Sequence, residues 1–421
     1  MIKRTYEKVN EEIYIEKLKN GIEVYLYKTD KTKNFYITIS VKYGASVTKY
    51  KVGKRVVDVI PGSAHFLEHK VMALSENPEI SKRINDLGSL ANAWTSYDGT
   101  NYNIFGSINL IENLKLLLDI FYNTDINEKN VSEEKGIIGE EIDMYKDRID
   151  SLLNDHLYKN LFNNSYIRNT VVGERSDIEK ITAKSLNQIY NDYYIPNNTF
   201  ITVCGNFDID EVMDVINEYM DKLNLKPKTL PKRIKEKESE KVNVPYEEVT
   251  KDLEEHRVKY SLKMNKKIFG IKDDNILKDY IVVILSNNFS PTSKLFEEYK
   301  LKELSLGINY GVNTIDDMLI INITAVTKKP NEFIKNIKND IRKLKITKSD
   351  FERKKKKYVR NYILSFENIE DIEYDIALSL MIDGKINFHE YSDCVNAKYE
   401  EALRVLSLIN YDNECIIKTI K

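Results

Sequence analysis

The chain has 421 residues, 42% hydrophobic and 31% charged, with a formal net charge of -2; this is a globular composition with room for more than one core and no electrostatic footprint for nucleic acid. No apolar run reaches the length of a transmembrane helix, and residues 1–10 lack the apolar centre of a signal peptide, so no membrane partner is expected. The 3 cysteines, Cys204, Cys394 and Cys415, are too sparse for a disulfide framework and point to a reducing, cytoplasmic setting, with Cys204 and Cys415 as buried thiols in apolar runs.

Residues 14–18 and 22–27 read as strands joined by Lys19-Asn20-Gly21, the strongest short hairpin signal. Residues 35–41 alternate and end at Tyr43-Gly44, a third strand. Pro61-Gly62-Ser63 then breaks the chain, with Ser63 as the expected N-cap. Residues 64–73 contain no Gly or Pro and predict a helix. On it lies His65-Phe66-Leu67-Glu68-His69, the pattern H-x-x-E-H. Histidines four apart share a helix face, so both imidazoles can converge on one cation, while the Glu68 carboxylate flanks it as a general base. Two of the 5 histidines in the chain fall in this one turn.

Residues 79–87 form an amphipathic helix stopped by Gly88, and 91–97 and 100–105 a hairpin turning at Asp98-Gly99. Residues 108–122 read as a buried helix, and 133–162 as one long amphipathic helix or a broken pair. A helix over 184–193, a strand over 200–204 and a helix over 209–223 complete the first half. Residues 225–249 hold Pro227, Pro231 and Pro245 among many Lys and Glu, the composition of a solvated linker.

Beyond it the outline repeats: a strand over 258–264, helices over 276–285 and 293–302, and a hairpin of 306–312 with 318–326. Helices over 332–344, 350–366, 369–382 and 400–409 and a strand over 414–419 follow. Lys354 to Lys357 read as a solvated helix face. The expected fold is α+β with two homologous domains, each a mostly antiparallel sheet packed with helices. Residues 1–224 would form a zinc-binding catalytic domain, 225–249 a charged linker, and 250–421 a related domain without a metal motif.

Two histidines need a further ligand, and a carboxylate suits zinc. The helix after Asn130 offers Glu133, Glu134, Glu140 and Glu141. Glu134 and Glu141, seven apart, share nearly one face, so one can ligate while the other orients a histidine. Spacing alone does not separate that pair from an acidic surface stripe.

Several stretches beyond H-x-x-E-H resemble the pitrilysin/insulinase-type inverzincin metallopeptidases, a family that includes the mitochondrial processing peptidase. They are Leu18-Lys19-Asn20-Gly21-Ile22, Asn92-Ala93-Trp94-Thr95-Ser96, Glu134-Lys135-Gly136-Ile137-Ile138-Gly139-Glu140-Glu141-Ile142, and Tyr194-Ile195-Pro196-Asn197-Asn198 with Val203-Cys204-Gly205-Asn206. The likeness is dense over roughly the first 220 residues, and the sequence around His65 most resembles half-length bacterial members, YmfH-like proteins and peptide-maturation peptidases.

The resemblance implies Glu141 as third zinc ligand and Glu134 as its supporting carboxylate, which is grouped with the general base Glu68 as a catalytic residue. It also implies that Asn92, Ala93, Trp94 and Thr95 belong to an edge strand to which a peptide substrate adds as a further strand. The family positions the scissile carbonyl with an Arg and a Tyr seven residues apart in its second domain. Here Lys300 stands at the Arg position, Gly307 at the Tyr position, and Tyr310 is the nearest tyrosine, so the pair is absent or displaced.

The sequence therefore points to a zinc endopeptidase with one zinc ion per chain, cleaving peptides or unstructured leader and precursor segments as half of a clam shell. A paralogous subunit would make a heterodimer and supply the missing pair; a homodimer is the other arrangement. The rival readings are a non-catalytic structural or regulatory subunit of the same fold and a metal-dependent hydrolase of small molecules.

Overall fold

The computed structural model of the chain describes residues 1–73, 77–386 and 395–421; His389 and Cys394 lie outside the described residues. It forms two compact units, each assembled from three stretches of sequence. Of the described residues, the first comprises those within Met1–Tyr145, Asn169–Lys235 and 363–386, the second Lys146–Arg168, Glu236–Tyr362 and 395–421.

The first unit is built on strands β1 (Ile2–Tyr6), β2 (Glu11–Lys17), β3 (Glu23–Lys28), β4 (Phe35–Val41), β5 (Lys49–Val52), β6 (Arg55–Asp58), β7 (Leu90–Thr95), β8 (Thr100–Gly106), β9 (Thr199–Gly205) and β10 (Lys232–Arg233). Seven of them form a sheet in the order β1-β2-β3-β9-β4-β8-β7, antiparallel except where β3 pairs with β9. β7 is therefore an edge. β10, β5 and β6 form a small separate sheet.

Strand periodicity divides β4 between two faces. Phe35, Ile37, Ile39 and Val41 join the large core with Val24, Leu26, Ile104, Ile201 and Val203. The helices Ser63–Met72, Leu110–Tyr122, Ala183–Tyr193 and Ile209–Leu223 bury their apolar stripes in that core. On the opposite face Thr38 and Ser40 are also buried, under the helix Ile369–Ile382. There Glu373 Oε1 accepts from Thr38 Oγ1 at 2.8 Å and from Asn101 Nδ2 at 3.2 Å.

The second unit carries β11 (Tyr246–Thr250), β12 (His256–Asn265), β13 (Gly307–Ile315), β14 (Met318–Thr327) and β15 (Glu414–Ile420) in the order β11-β15-β12-β14-β13, antiparallel except for β11 with β15. The helix Ile149–Leu161 packs on β12 and β15, and Asp274–Phe289 on β13. An α+β architecture with a mostly antiparallel main sheet in each of two units is what was expected.

The local differences have local causes. The stretch 133–162 is the broken pair: Glu128–Asp147 and Ile149–Leu161 are separated by Arg148 in an extended conformation. The amphipathic pattern of 369–382 is as expected, but its apolar face lies on the first unit's sheet. Within 225–249, Lys232 and Arg233 pair with Lys51 and Tyr50, a tie too short to show in composition. Ser63 is not the cap: Gly62 holds that position at φ 86, and the Ser63 hydroxyl donates back to the Ile60 carbonyl at 2.7 Å. Lys354 departs from its solvated run, being buried with Nζ 2.8 Å from Ser290 Oγ. Cys204 and Cys415 are buried free thiols, and among the described residues no helix is long and apolar enough to cross a membrane.

Candidate metal centre

Gly62 sets the entry of the motif helix. Its left-handed backbone favours glycine, and a Cβ there would lie 2.8 Å from the Val172 carbonyl oxygen. The helix then turns Phe66, Leu67, Lys70 and Val71 into the core, which leaves His65, Glu68 and His69 along the margin of that buried stripe. The partner helix Glu128–Asp147 approaches through Val131, Glu134, Ile138 and Ile142. Gly139 on it makes room for another anchor: a Cβ would fall 2.3 Å from the guanidinium of Arg175, which binds Asp143 and Glu140.

The packing places the imidazole of His69 between two glutamates. Its Nδ1 is 2.8 Å from Glu134 Oε1, and its Nε2 is 3.4 Å from Glu141 Oε2. Two helical turns separate the glutamates by roughly 10.5 Å along the axis, enough to span one ring with a contact on either side. His65 Nε2 lies 3.5 Å from the same Glu141 oxygen, while His65 Nδ1 is buried without a hydrogen-bond partner, so Nε2 is the nitrogen aimed at the carboxylate. One atom from each of His65, His69 and Glu141 falls within 4.8 Å of the others.

These distances fit zinc. A tetrahedral ion with bonds of ~2.0–2.1 Å to nitrogen and oxygen separates its ligand atoms by about 3.3 Å. The 3.4 and 3.5 Å contacts are thus close to what the edges of such a polyhedron require, from two imidazole nitrogens and a carboxylate oxygen of the kinds that bind zinc.

Glu134 is fully buried and has a second cationic neighbour that sequence reasoning passed over. Lys70, equally buried, sits 3.8 Å from Glu134 Oε2 and donates to the Asn130 carbonyl at 3.2 Å. The available signal was a lysine on the stripe otherwise occupied by Phe66, Leu67 and Val71. Thr95, the last residue of the strand Leu90–Thr95, donates its hydroxyl to Glu68 Oε2 at 2.5 Å, a contact that strand patterning did not specify.

Burial alone would lower the pKa of His69, but its hydrogen bonds to Glu134 and Glu141 and the charge of Glu68 outweigh that and raise it to about 9. His65 and then His69 hold the Glu141 carboxyl below its usual range, against the effect of burial. Without metal His69 is therefore protonated below about pH 9, and an ion bound through its ring nitrogen would have to displace that proton. Zinc affinity is expected to fall up to tenfold for each pH unit below about 9, with about one proton released per ion near neutrality. Calorimetry in buffers of different ionisation enthalpy reads this directly. Glu134→Gln is expected to weaken zinc roughly 10–100-fold.

β7 places the other residues singled out in sequence. It passes beside the motif helix, with Ala93 and Thr95 on the core face and Asn92 and Trp94 on the opposite one. Lys300 and Tyr310 belong to the second unit. Lys300 is exposed on the helix Lys294–Leu301, and Tyr310 is half-buried on the edge strand β13.

Comparison with known proteins places the chain among the M16 peptidases. Residues 57–175 match the family model described as insulinase, peptidase family M16, and 180–358 match the one described as peptidase M16 inactive domain. The chain is 30% identical over 275 residues to the uncharacterized zinc protease YmfH of Bacillus subtilis, a match covering 65% of this chain and 62% of that protein. It is 26% identical over 219 residues to the mitochondrial-processing peptidase subunit beta of Dictyostelium discoideum, covering 51% and 45%. The chain thus spans less than two thirds of the length of these curated relatives. Its fold superposes on an M16-like peptidase from Alicyclobacillus acidocaldarius with a TM-score of 0.87 at 21% identity, over 97% of this chain and 98% of that one.

Proposed function

From the membership of this chain in the insulinase-type M16 peptidase family, carried by its two adjoining family domains, we propose that it is a zinc endopeptidase acting on peptides and unstructured leader or precursor segments. The observation that carries the reading is the convergence of His65, His69 and Glu141 at tetrahedral ligand spacing, on the helix turn that presents Glu68. The inactive-domain match begins at residue 180, so it leaves every one of these residues in the other matched domain.

One zinc ion per chain, held by His65, His69 and Glu141, would supply Lewis acidity that acidifies a water and polarises the scissile carbonyl. Glu68 accepts the proton of the attacking water and returns it to the nitrogen of the leaving amine. The Thr95 hydroxyl fixes one oxygen of Glu68 by a hydrogen bond, leaving the other to face the reacting atoms. Glu134 holds the His69 ring by its Nδ1 edge, so that Nε2 stays directed at the metal position. The edge strand β7 aligns an extended peptide beside that position through main-chain hydrogen bonds.

Zinc analysis paired with turnover of unstructured peptides tests the reading. One zinc per chain and chelator-sensitive hydrolysis are expected, both lost in His65→Ala; a zinc-free chain, or hydrolysis indifferent to chelator, would overturn it.

The reading extends to a partner. Lysine lacks the planar two-pronged contact of arginine, so Lys300 does not reproduce the family's carbonyl-binding Arg. A paralogous subunit bearing an Arg and a Tyr would restore the oxyanion donors, in keeping with a relative that is itself a subunit. Loss of one such donor costs roughly 10²–10³-fold in turnover, so the partner is expected to accelerate peptide cleavage by about two orders of magnitude. Full activity of the chain alone, unchanged by the partner, would assign the role to Lys300 and Tyr310.

A further inference from the structure

A strand that receives a peptide presents two faces, and the face of β7 turned away from the metal residues is not blank. Register assigns its side chains. Thr95 contacts Glu68 and lies with Ala91 and Ala93 on one face, while Leu90, Asn92 and Trp94 alternate onto the other. Leu90 stands opposite Phe105, Asn92 opposite Asn103 and Trp94 opposite Asn101.

That second face holds two apolar spots. At one end Leu90 is 67% exposed and neighbours the half-buried ring of Phe105, which packs at 5.9 Å on Tyr36. At the other end Trp94 packs at 5.4 Å against Tyr374, itself 48% exposed, from the helix Ile369–Ile382. The exposed Asn92 separates the two. Large apolar side chains held open at a sheet edge mark an interaction site, and this one lies on the same strand that, through Thr95 on its other face, touches Glu68.

We infer that this strip is a substrate-reading subsite which selects extended peptides with apolar or aromatic side chains at positions i and i+4 and a small or polar one at i+2. Side chains on an added strand meet those directly opposite at about 4.5–5.5 Å between Cβ atoms, so residues opposite Leu90 and Trp94 must be four apart and on one face. The residue between them meets Asn92. An i, i+3 pair sends one side chain to the opposite face and cannot fill both spots. The inference rests on the reading of β7 as the peptide-binding edge of a hydrolase.

The test compares synthetic peptides of one composition with two phenylalanines spaced i, i+4 or i, i+3. With the zinc-loaded chain, the i, i+4 peptide is expected to have a kcat/KM about tenfold higher, the scale on which an apolar pocket discriminates. Leu90→Ser and Tyr374→Ser, both at exposed positions, are expected to erase that preference while zinc content stays unchanged. Binding is read separately in the zinc-loaded Glu68→Gln protein from the emission of Trp94, the only tryptophan in the chain. The i, i+4 peptide should bind more tightly and change that emission more.

Equal kcat/KM for the two peptides, or equal affinity, would overturn the subsite. So would Trp94 emission that varies with protein concentration in the absence of peptide, since the strip would then be covered by a second copy. Selective binding without hydrolysis of any peptide would keep the subsite and remove the hydrolase reading.

Discussion

Glu68→Gln is expected to bind zinc as the unaltered chain does and to lose roughly 10²–10⁴-fold in peptide turnover, the contribution of a positioned general base. The prediction is sharp because the geometry separates Glu68 from the proposed ligands. It lies in the same helical turn as His65 and His69, yet its contact is the Thr95 hydroxyl, and the converging ligand atoms come from His65, His69 and Glu141. An amide is nearly isosteric and still accepts the Thr95 hydrogen bond, but it cannot take a proton from water. Thr95→Val is the companion measurement: the carboxylate remains and loses one charge-assisted hydrogen bond, so turnover should fall only about tenfold. Near-normal hydrolysis by Glu68→Gln would remove Glu68 as the base, and loss of zinc would make it a ligand.

The spacing of His65, Glu68 and His69 was legible because a helix converts it into geometry without further information. The assignment of separate roles to Glu134 and Glu141 did not follow from spacing and was implied only by the family resemblance. Both lie on one helical face, and which reaches which edge of the His69 imidazole depends on how two helices are set side by side. Lys70 escaped notice for a related reason: a lysine beside a motif is ordinary on a surface, and only burial on the stripe of Phe66, Leu67 and Val71 makes it a partner for Glu134. Thr95 could equally have faced solvent, the core or the base, since strand patterning fixes a face and not a hydrogen bond.

The same limit applies to the fold. Asn20-Gly21 and Asp98-Gly99 announced their hairpins because turn chemistry is local. The helix Ile369–Ile382 has an apolar stripe that would suit either sheet, so its docking on β4 and β9 was not written in its periodicity. Glu373, next to Ile372 on that helix, interrupts an apolar surface and was the one sign that a polar sheet face awaited it.

Glu373→Gln is expected to stabilise the chain above about pH 7 by an amount on the order of 3 kcal/mol and to change little near pH 4.5. Burial under the helix raises the Glu373 pKa from 4.5 to about 7, with the neighbouring charge of Glu370 adding to the rise, and the hydrogen bonds from Thr38 and Asn101 only partly oppose it. The folded chain therefore holds the proton more tightly than the unfolded chain. As pH rises from about 4.5 the unfolded carboxyl ionises first, so the favourable contribution is lost progressively until about pH 7 and is level beyond it. Glutamine keeps an acceptor for Thr38 and Asn101 and has nothing to ionise, so the variant should not show this loss. Trp94 packs against Tyr374, the residue beside Glu373, so its emission reports the unfolding of this unit in a denaturant titration. The quantity to compare is the difference between the two proteins at each pH, in which titrating groups remote from Glu373 cancel. A gap that opens between about pH 4.5 and 7 and then stays constant is the expected result. Parallel curves across that range would mean that Glu373 ionises near its ordinary value, and that the polar face beneath the helix solvates its charge as well as water does.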